Sequence, residues 1–296
     1  MPSTYTAVSY GRTLSPSILD TIRTVLAAHG CRIVSEDAQA HPGFDSVAWS
    51  LAWDDVSADA VTTLRQALAA GAQEVSTAVV PDTLRTADRK FIIMDVDSTL
   101  IQQEVIELLA AHAGTEEEVA KVTEAAMRGE LDFAASLHHR VATLAGLPDS
   151  VLAEVGAKIR LSVGAERLVA QAKAAGHTVA AVSGGFSQIL APLAARLGLD
   201  YALANDLEII DGHLTGKVSG DVVDRATKAT MLHAWSTAAG IPRAATMAIG
   251  DGANDLDMMA AAALGVAFNA KPAVRAVADA QINLPNLDVA LVLADI

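Results

Sequence analysis

The chain has 296 residues, enough for two domains and for an apolar core that needs no metal or disulfide staple. Hydrophobic residues make up 52% and aromatics only 4%, so the apolar mass is Ala, Val and Leu, which suits α/β packing. A formal net charge of −14 argues against nucleic-acid or membrane partners, while a few cations focused in a cleft still suit a small phosphate ligand.

In the first eighty residues, Thr4–Tyr10 reads as a strand and Pro16–His29 as a helix, with Ser15 as N-cap, Pro16 at the first helical position and Gly30 as the stop. Cys31–Ser35 is a second strand. Ser46–Trp53 alternates with period two: Val47, Trp49, Leu51 and Trp53 on the buried face, Ser46, Ala48, Ser50 and Ala52 on the other. That small-residue face suits solvent or a second copy, so a homodimer stays open. Ala58–Ala70 is a helix and Glu74–Val80 a last strand. The order is βαββαβ, the ferredoxin-like split unit. Cys31 is the single cysteine, which rules out an intramolecular disulfide and reads as a small buried hydrophobe.

Polar Pro81–Lys90 reads as a linker, which divides the chain into residues 1–84 and 85–296. Beyond it, Phe91–Met94, Val179–Val182 and Thr246–Ile249 are short continuous apolar runs, each followed by Gly or Asp and then a helix. This βα alternation predicts a Rossmann-like parallel sheet with its active groups at strand C-terminal ends. Between the first two runs, Glu104–Ala113, Glu116–Met127, Asp132–Leu144 and Asp149–Lys158 carry helical periodicity and form a helical-bundle insertion at about 102–163. Residues 1–12 lack a basic-then-apolar leader. The longest uncharged apolar run, Met258–Phe268, falls short of the ~18 residues of a spanning helix. A cytoplasmic protein is expected.

Four segments carry chemistry. Asp95-Val96-Asp97-Ser98-Thr99 puts two carboxylates in the loop after a strand, one able to attack phosphorus and the other to move a proton. Ser183-Gly184-Gly185 offers a hydroxyl and exposed backbone N–H groups where a helix is expected to open. Lys228, early in the helical segment Ala226–Trp235, is a fixed cation for a phosphoryl group. Gly250–Asp255 offers Asp251, Asn254 and Asp255 as oxygen donors for a hard cation. Alone, the first three are more simply a turn, a cap or a surface lysine, and the fourth reads equally as a capped turn or a cation site. All four fall in order at the strand ends of one sheet.

Asp95–Leu100, Ser183–Phe186, Lys228 and Gly250–Met258 together resemble the four motifs of the haloacid dehalogenase superfamily, in its Asp-x-Asp-x-Thr phosphotransferase form, from Phe91 to about Ile282. Val122–Phe133 with Arg140-Val141, and Asn205–Ile209 with Asp211–Gly216, resemble the phosphoserine phosphatase branch of that superfamily. The resemblance implies magnesium-dependent hydrolysis of O-phospho-L-serine, the last step of serine biosynthesis, through an aspartyl-phosphate. Under it Asp95 is the nucleophile and Asp97 the general acid/base. Magnesium is held by Asp95, Asp251 and the Asp97 carbonyl, with Asp255 in support. Ser183, Gly184 and Lys228 meet the phosphoryl group, and Asn254, grouped with the substrate-binding residues, also supports the metal nearby. Glu104 meets the substrate ammonium, Arg140 its carboxylate, and Met127 and Phe133 close over the site. Related readings keep the chemistry and change the substrate (phosphothreonine, a sugar phosphate, transfer to an acceptor such as homoserine). A silent amino-acid sensor would predict loss of Asp95, Asp97 or Lys228, and all are present. By element order and size, residues 1–84 resemble an ACT domain, which implies serine or another amino acid as an effector. Gly11-Arg12-Thr13-Leu14 stands where amino-acid-binding members commonly carry Asp-x-Pro-Gly.

Overall fold

Ser15 caps the first helix through its hydroxyl, which accepts from the Ile18 N–H, and Pro16 sets its first turn. A computed structural model describes residues 5–54, 56–71, 75–128 and 130–296. Thr4 and Glu74, expected to open two strands, and Gly129 of the cap motif lie outside the described residues. The N-terminal elements are β1 (Tyr5–Gly11), α1 (Pro16–Ala28), β2 (Arg32–His41), β3 (Phe44–Ala52), α2 (Ala58–Gly71) and β4 (Val75–Pro81). They form an antiparallel sheet in the order β2-β3-β1-β4. Val47, Trp49 and Leu51 turn towards α1 and α2, where they meet Ile22, Leu26, Leu64 and the buried Cys31. Trp53, expected with them, is only half-buried.

The other face of this sheet is covered largely by the chain itself. Val8, Tyr10, Phe44, Ala78 and Val80 share one apolar core with Leu287, Val289, Ala290 and Leu293 near the C-terminus. Ser46 is buried and Ala48 packs against the same core, so this end of the small-residue face has an intramolecular partner. The Tyr10 hydroxyl donates to the Gln281 carbonyl at 2.5 Å. The segment read as a linker also packs. It holds a short helix, α3 (Asp82–Arg85), with Leu84 fully buried. Arg85 donates to the carbonyls of Val292 and Leu293 at 2.7 and 3.1 Å.

The remaining elements are β5 (Phe91–Met94), α4 (Val105–Ala113), α5 (Glu116–Met127), α6 (Phe133–Ala142), α7 (Ser150–Lys158), α8 (Ala165–Ala174), β6 (Thr178–Phe186), α9 (Ser187–Leu197), β7 (Tyr201–Ile210), β8 (His213–Ser219), α10 (Arg225–Ala238), β9 (Thr246–Gly250), α11 (Leu256–Ala261), β10 (Leu264–Phe268), α12 (Pro272–Arg275), β11 (Ala280–Ile282) and α13 (Val289–Ala294). The second sheet runs β11-β10-β9-β5-β6-β7-β8, parallel except for the hairpin strand β8. The strands that precede the chemical motifs, β5, β6 and β9, are neighbours at its centre. Among the described residues no helix is long and apolar enough to cross a membrane.

Helices α4–α7 form the cap. Its two connections run side by side: Gln102 N–H donates to the Arg160 carbonyl at 2.9 Å, Ser162 N–H to the Leu100 carbonyl at 3.0 Å, and Ile101 bridges Leu161. The β7–β8 hairpin props the far side, with Gly146 and Leu147 hydrogen-bonded to Leu214.

Candidate active site

A small cavity of about 40 Å³ lies between α5, α6 and the sheet, lined by Asp95, Asp97, Glu104, Arg140, Gly184 and Asn254 among others. Asp95 follows β5 directly, and its N–H donates to the Ile249 carbonyl of β9, which locks the two motif loops together. Lys228 projects from the first turn of α10, whose N-cap Asp224 accepts from Thr227 N–H. The fully buried Lys228 ammonium donates to Asp95 Oδ1 at 2.5 Å and to Asp255 Oδ1 at 2.7 Å. Asp255 Oδ2 accepts the N–H groups of Asp251 and Gly252, both at 3.1 Å. Gly250 packs so closely on the Asp255 carboxylate that any Cβ there would collide with it.

Asp95, Asp251 and Asp255 bring carboxylate oxygens within 4.8 Å of one another. An all-oxygen, all-buried donor set of this kind fits a hard divalent cation. Both oxygens of Asp255 are already engaged by Lys228 and the loop, so Asp95 and Asp251 are the freer donors. Asp251 accepts one further bond, from the Thr99 hydroxyl at 3.2 Å. Burial pushes Asp95 up to about 7 against the pull of Lys228, with Asp255 and Asp97 adding to the rise. It drives Asp251 well above the carboxylate range, with Asp95 beside it reinforcing the shift. Burial works against the Lys228 ammonium, yet Asp255 and Asp95 hold its pKa above the ordinary value.

Asp97 sits across the cavity floor. Its Oδ1 accepts the Val105 N–H at 2.8 Å and its Oδ2 accepts the Ser183 hydroxyl at 3.1 Å. Burial raises its pKa in spite of these bonds. The Ser183 segment departs from expectation. Residues Ser183–Gly185 do not open a helix: β6 continues through Phe186, which pairs with Asn205 of β7, and α9 begins at Ser187. Here the backbone is fixed by side chains. The Ser183 hydroxyl accepts from Gly185 N–H at 2.8 Å, and the Asn205 amide donates to the Gly184 carbonyl at 2.9 Å.

The cap brings the remaining predicted residues to the same cavity. Asp132 caps α6 by accepting from Ala135 N–H, and Phe133, next in the chain, lies against Gly184, where a Cβ would strike the ring. Met127 and Asn254 flank Gly252. Glu104 accepts from the Ser98 hydroxyl at 2.6 Å, and burial with Asp97 nearby pushes it up to about 8. Arg140, almost fully buried, donates to the Ser136 carbonyl at 3.1 Å and to the Thr123 hydroxyl at 3.0 Å.

The sequence matches the family of haloacid dehalogenase-like hydrolases over residues 92–260. The chain belongs to that family. It is 58% identical over 235 residues to a phosphoserine phosphatase of Streptomyces coelicolor, which covers 79% of this chain and 57% of the relative, so the chain spans little more than half the relative's length. A solved structure described as a phospho-aspartyl intermediate analogue of phosphoserine phosphatase is 42% identical with a TM-score of 0.67, over 69% of this chain and 97% of the other. A haloacid dehalogenase family hydrolase from Salmonella enterica serovar Typhi is 28% identical with a TM-score of 0.83, over 98% of this chain and 99% of the other. Haloacid dehalogenase-like phosphatases generally use a divalent metal, and the Asp95–Asp251–Asp255 cluster suits one. Sequence reasoning assigned no role to Ser98, Thr99, Thr123 or Asn205, which tie the site residues in place. For Ser98 and Thr99 the signal was available, since both lie inside the Asp95–Leu100 motif. Thr123 and Asn205 fall inside segments whose resemblance was noted without a role.

Proposed function

We propose that the protein is a phosphatase that hydrolyses O-phospho-L-serine to L-serine and phosphate through an aspartyl-phosphate on Asp95, with magnesium as the cation. The observation that carries this reading is the company Asp95 keeps. In one cavity with Asp97 and with Asp95, which Lys228 holds from behind, lie a carboxylate, Glu104, and a guanidinium, Arg140, of opposite charge. A zwitterionic head satisfies both at once: ammonium to Glu104, carboxylate to Arg140. A ligand lacking either charge leaves one partner desolvated and unpaired.

Magnesium would be held by Asp95, Asp251 and the Asp97 carbonyl, where it offsets charge on the phosphoryl oxygens. Lys228 adds a second, fixed positive charge, and Ser183, Gly184 and Asn254 hold the phosphoryl oxygens from the other side. A carboxylate oxygen of Asp95 attacks phosphorus in line. The bond from phosphorus to the serine oxygen breaks, and Asp97, whose pKa is raised, gives that oxygen its proton. Asp97 then takes a proton from water, the water oxygen attacks phosphorus, and the bond to Asp95 breaks to free phosphate. Met127 and Phe133 close the cap over the cavity and keep water out during the first transfer.

In this reading residues 85–296 are the catalytic unit, with the cap at about 102–163. Residues 1–84 are an ACT-like unit, for which serine or another amino acid is the candidate effector. A cytoplasmic setting agrees with a single cysteine held as a buried thiol.

Phosphate release from O-phospho-L-serine, with and without magnesium and beside Asp95→Asn, tests the reading. Metal-dependent release abolished by the substitution supports it. Release from other phosphoesters alone would keep the chemistry and remove the roles of Glu104 and Arg140. A new phosphoester in place of free phosphate would make the enzyme a transferase.

A further inference from the structure

Glu104 and Arg140 line the same cavity, yet no ion pair joins them within 4.0 Å. Opposite charges in such a place close on each other unless something holds them apart. Each is held by a hydroxyl. Ser98, in the left-handed region at φ 56°, donates to Glu104. Thr123, on α5, accepts from Nη1 of Arg140, on α6. The Thr123 bond is unusual within this chain. Helical threonines such as Thr21, Thr24, Thr62 and Thr230 donate to the carbonyl one turn back, as threonines in helices commonly do. Thr123 is buried and spends its oxygen on a residue of the next helix. With Nε on the Ser136 carbonyl and Nη1 on Thr123, the guanidinium is held at two points, and Nη2 is left to meet a carboxylate.

We propose that Thr123 is a positioning residue for substrate recognition, holding Arg140 at the separation from Glu104 that an α-amino acid head requires. This rests on the phosphoserine reading. Ser98 does the corresponding work for Glu104.

The test compares O-phospho-L-serine with O-phosphoethanolamine, which keeps the ammonium and lacks the carboxylate, using the full chain with magnesium. Thr123→Val keeps the shape and removes the acceptor. It is expected to raise KM for phosphoserine about tenfold, the loss of one hydrogen bond to a charged group, and to narrow the kcat/KM ratio between the two substrates by the same factor. Its kcat should stay within about twofold, because the bond is equally present in ground and transition states. Thr123→Ser, which keeps the hydroxyl, is expected to restore the ratio. Thr123→Ala should reproduce the valine pattern and serves if valine does not fold. An unchanged ratio, or an equal fall for both substrates, would overturn the proposal and leave Thr123 a structural residue. Wild-type protein with no preference for phosphoserine over phosphoethanolamine would instead sink the substrate reading, and the proposal with it.

Discussion

Lys228 balances the charge at the centre of the sheet. Its buried ammonium lies between Asp95 and Asp255, so without it two buried carboxylates face each other with no cation. Lys228→Met is therefore expected to destabilise the metal-free protein by about 3–5 kcal/mol, read from urea unfolding, and to abolish phosphate release. The same carboxylates set a pH dependence. Asp95 at about 7 and Glu104 at about 8 lie above the range of an unfolded chain, so between roughly pH 4 and pH 8 the metal-free folded state keeps protons that the unfolded chain has released. Stability is thus fully present at low pH and falls as pH rises through that window. Added magnesium, which favours the ionised carboxylates, is expected to flatten the decline. Thermal unfolding at a series of pH values, with and without the metal, checks both statements. In the sequence Lys228 is one lysine on one helix, and nothing local separates it from a solvated neighbour. Thr123 is harder still, because the residue that gives it meaning is 17 positions away on another helix.

Among the elements, the strands before the motifs were legible for a physical reason. Phe91–Met94 is buried on both faces, and only a strand at the middle of a sheet asks for four consecutive apolar residues. The extension of β6 past Val182 was not legible, since Ser-Gly-Gly after a strand has the composition of a turn and the bonds that keep it extended come from Asp97 and Asn205. The contact between α6 and this strand gives a prediction. A methyl at Gly184 meets the Phe133 ring and pushes the front of the cap outwards. Gly184→Ala is expected to lower kcat/KM by on the order of 10²-fold, the effect of displacing a reacting group by about an ångström. The Tm should barely change, because Phe133 is only half-buried at the lining of the cavity. Steady-state kinetics beside a melting curve would show it, and a matching collapse in Tm would mean that the strand, not the cap, had moved.

For the molecule as a whole, the β1–β4 sheet and the larger sheet share one apolar core through Tyr10, Val80, Leu287 and Val289. A single calorimetric unfolding transition is expected, and two resolved transitions would contradict the shared core. Tyr10→Phe removes the hydroxyl that donates to the half-buried Gln281 carbonyl and should lower stability by about 1 kcal/mol, with both sheets melting together at the lower temperature. Sequence could not foresee this docking. Alternation in Ser46–Trp53 shows that one face is buried, and small residues on the other face do not say what covers it. The stem beneath the cap carries a different consequence. Because residues 99–103 and 160–162 leave and return as a hydrogen-bonded pair, the ends of the insertion are already joined in space. Loop-closure entropy grows only slowly with the length spanned, so helices of other length or number could occupy that stem at little extra cost to the sheet below. The stem is a socket: under the proposed function, it would let the part that reads the substrate be exchanged while the part that breaks the phosphate bond stays where it is.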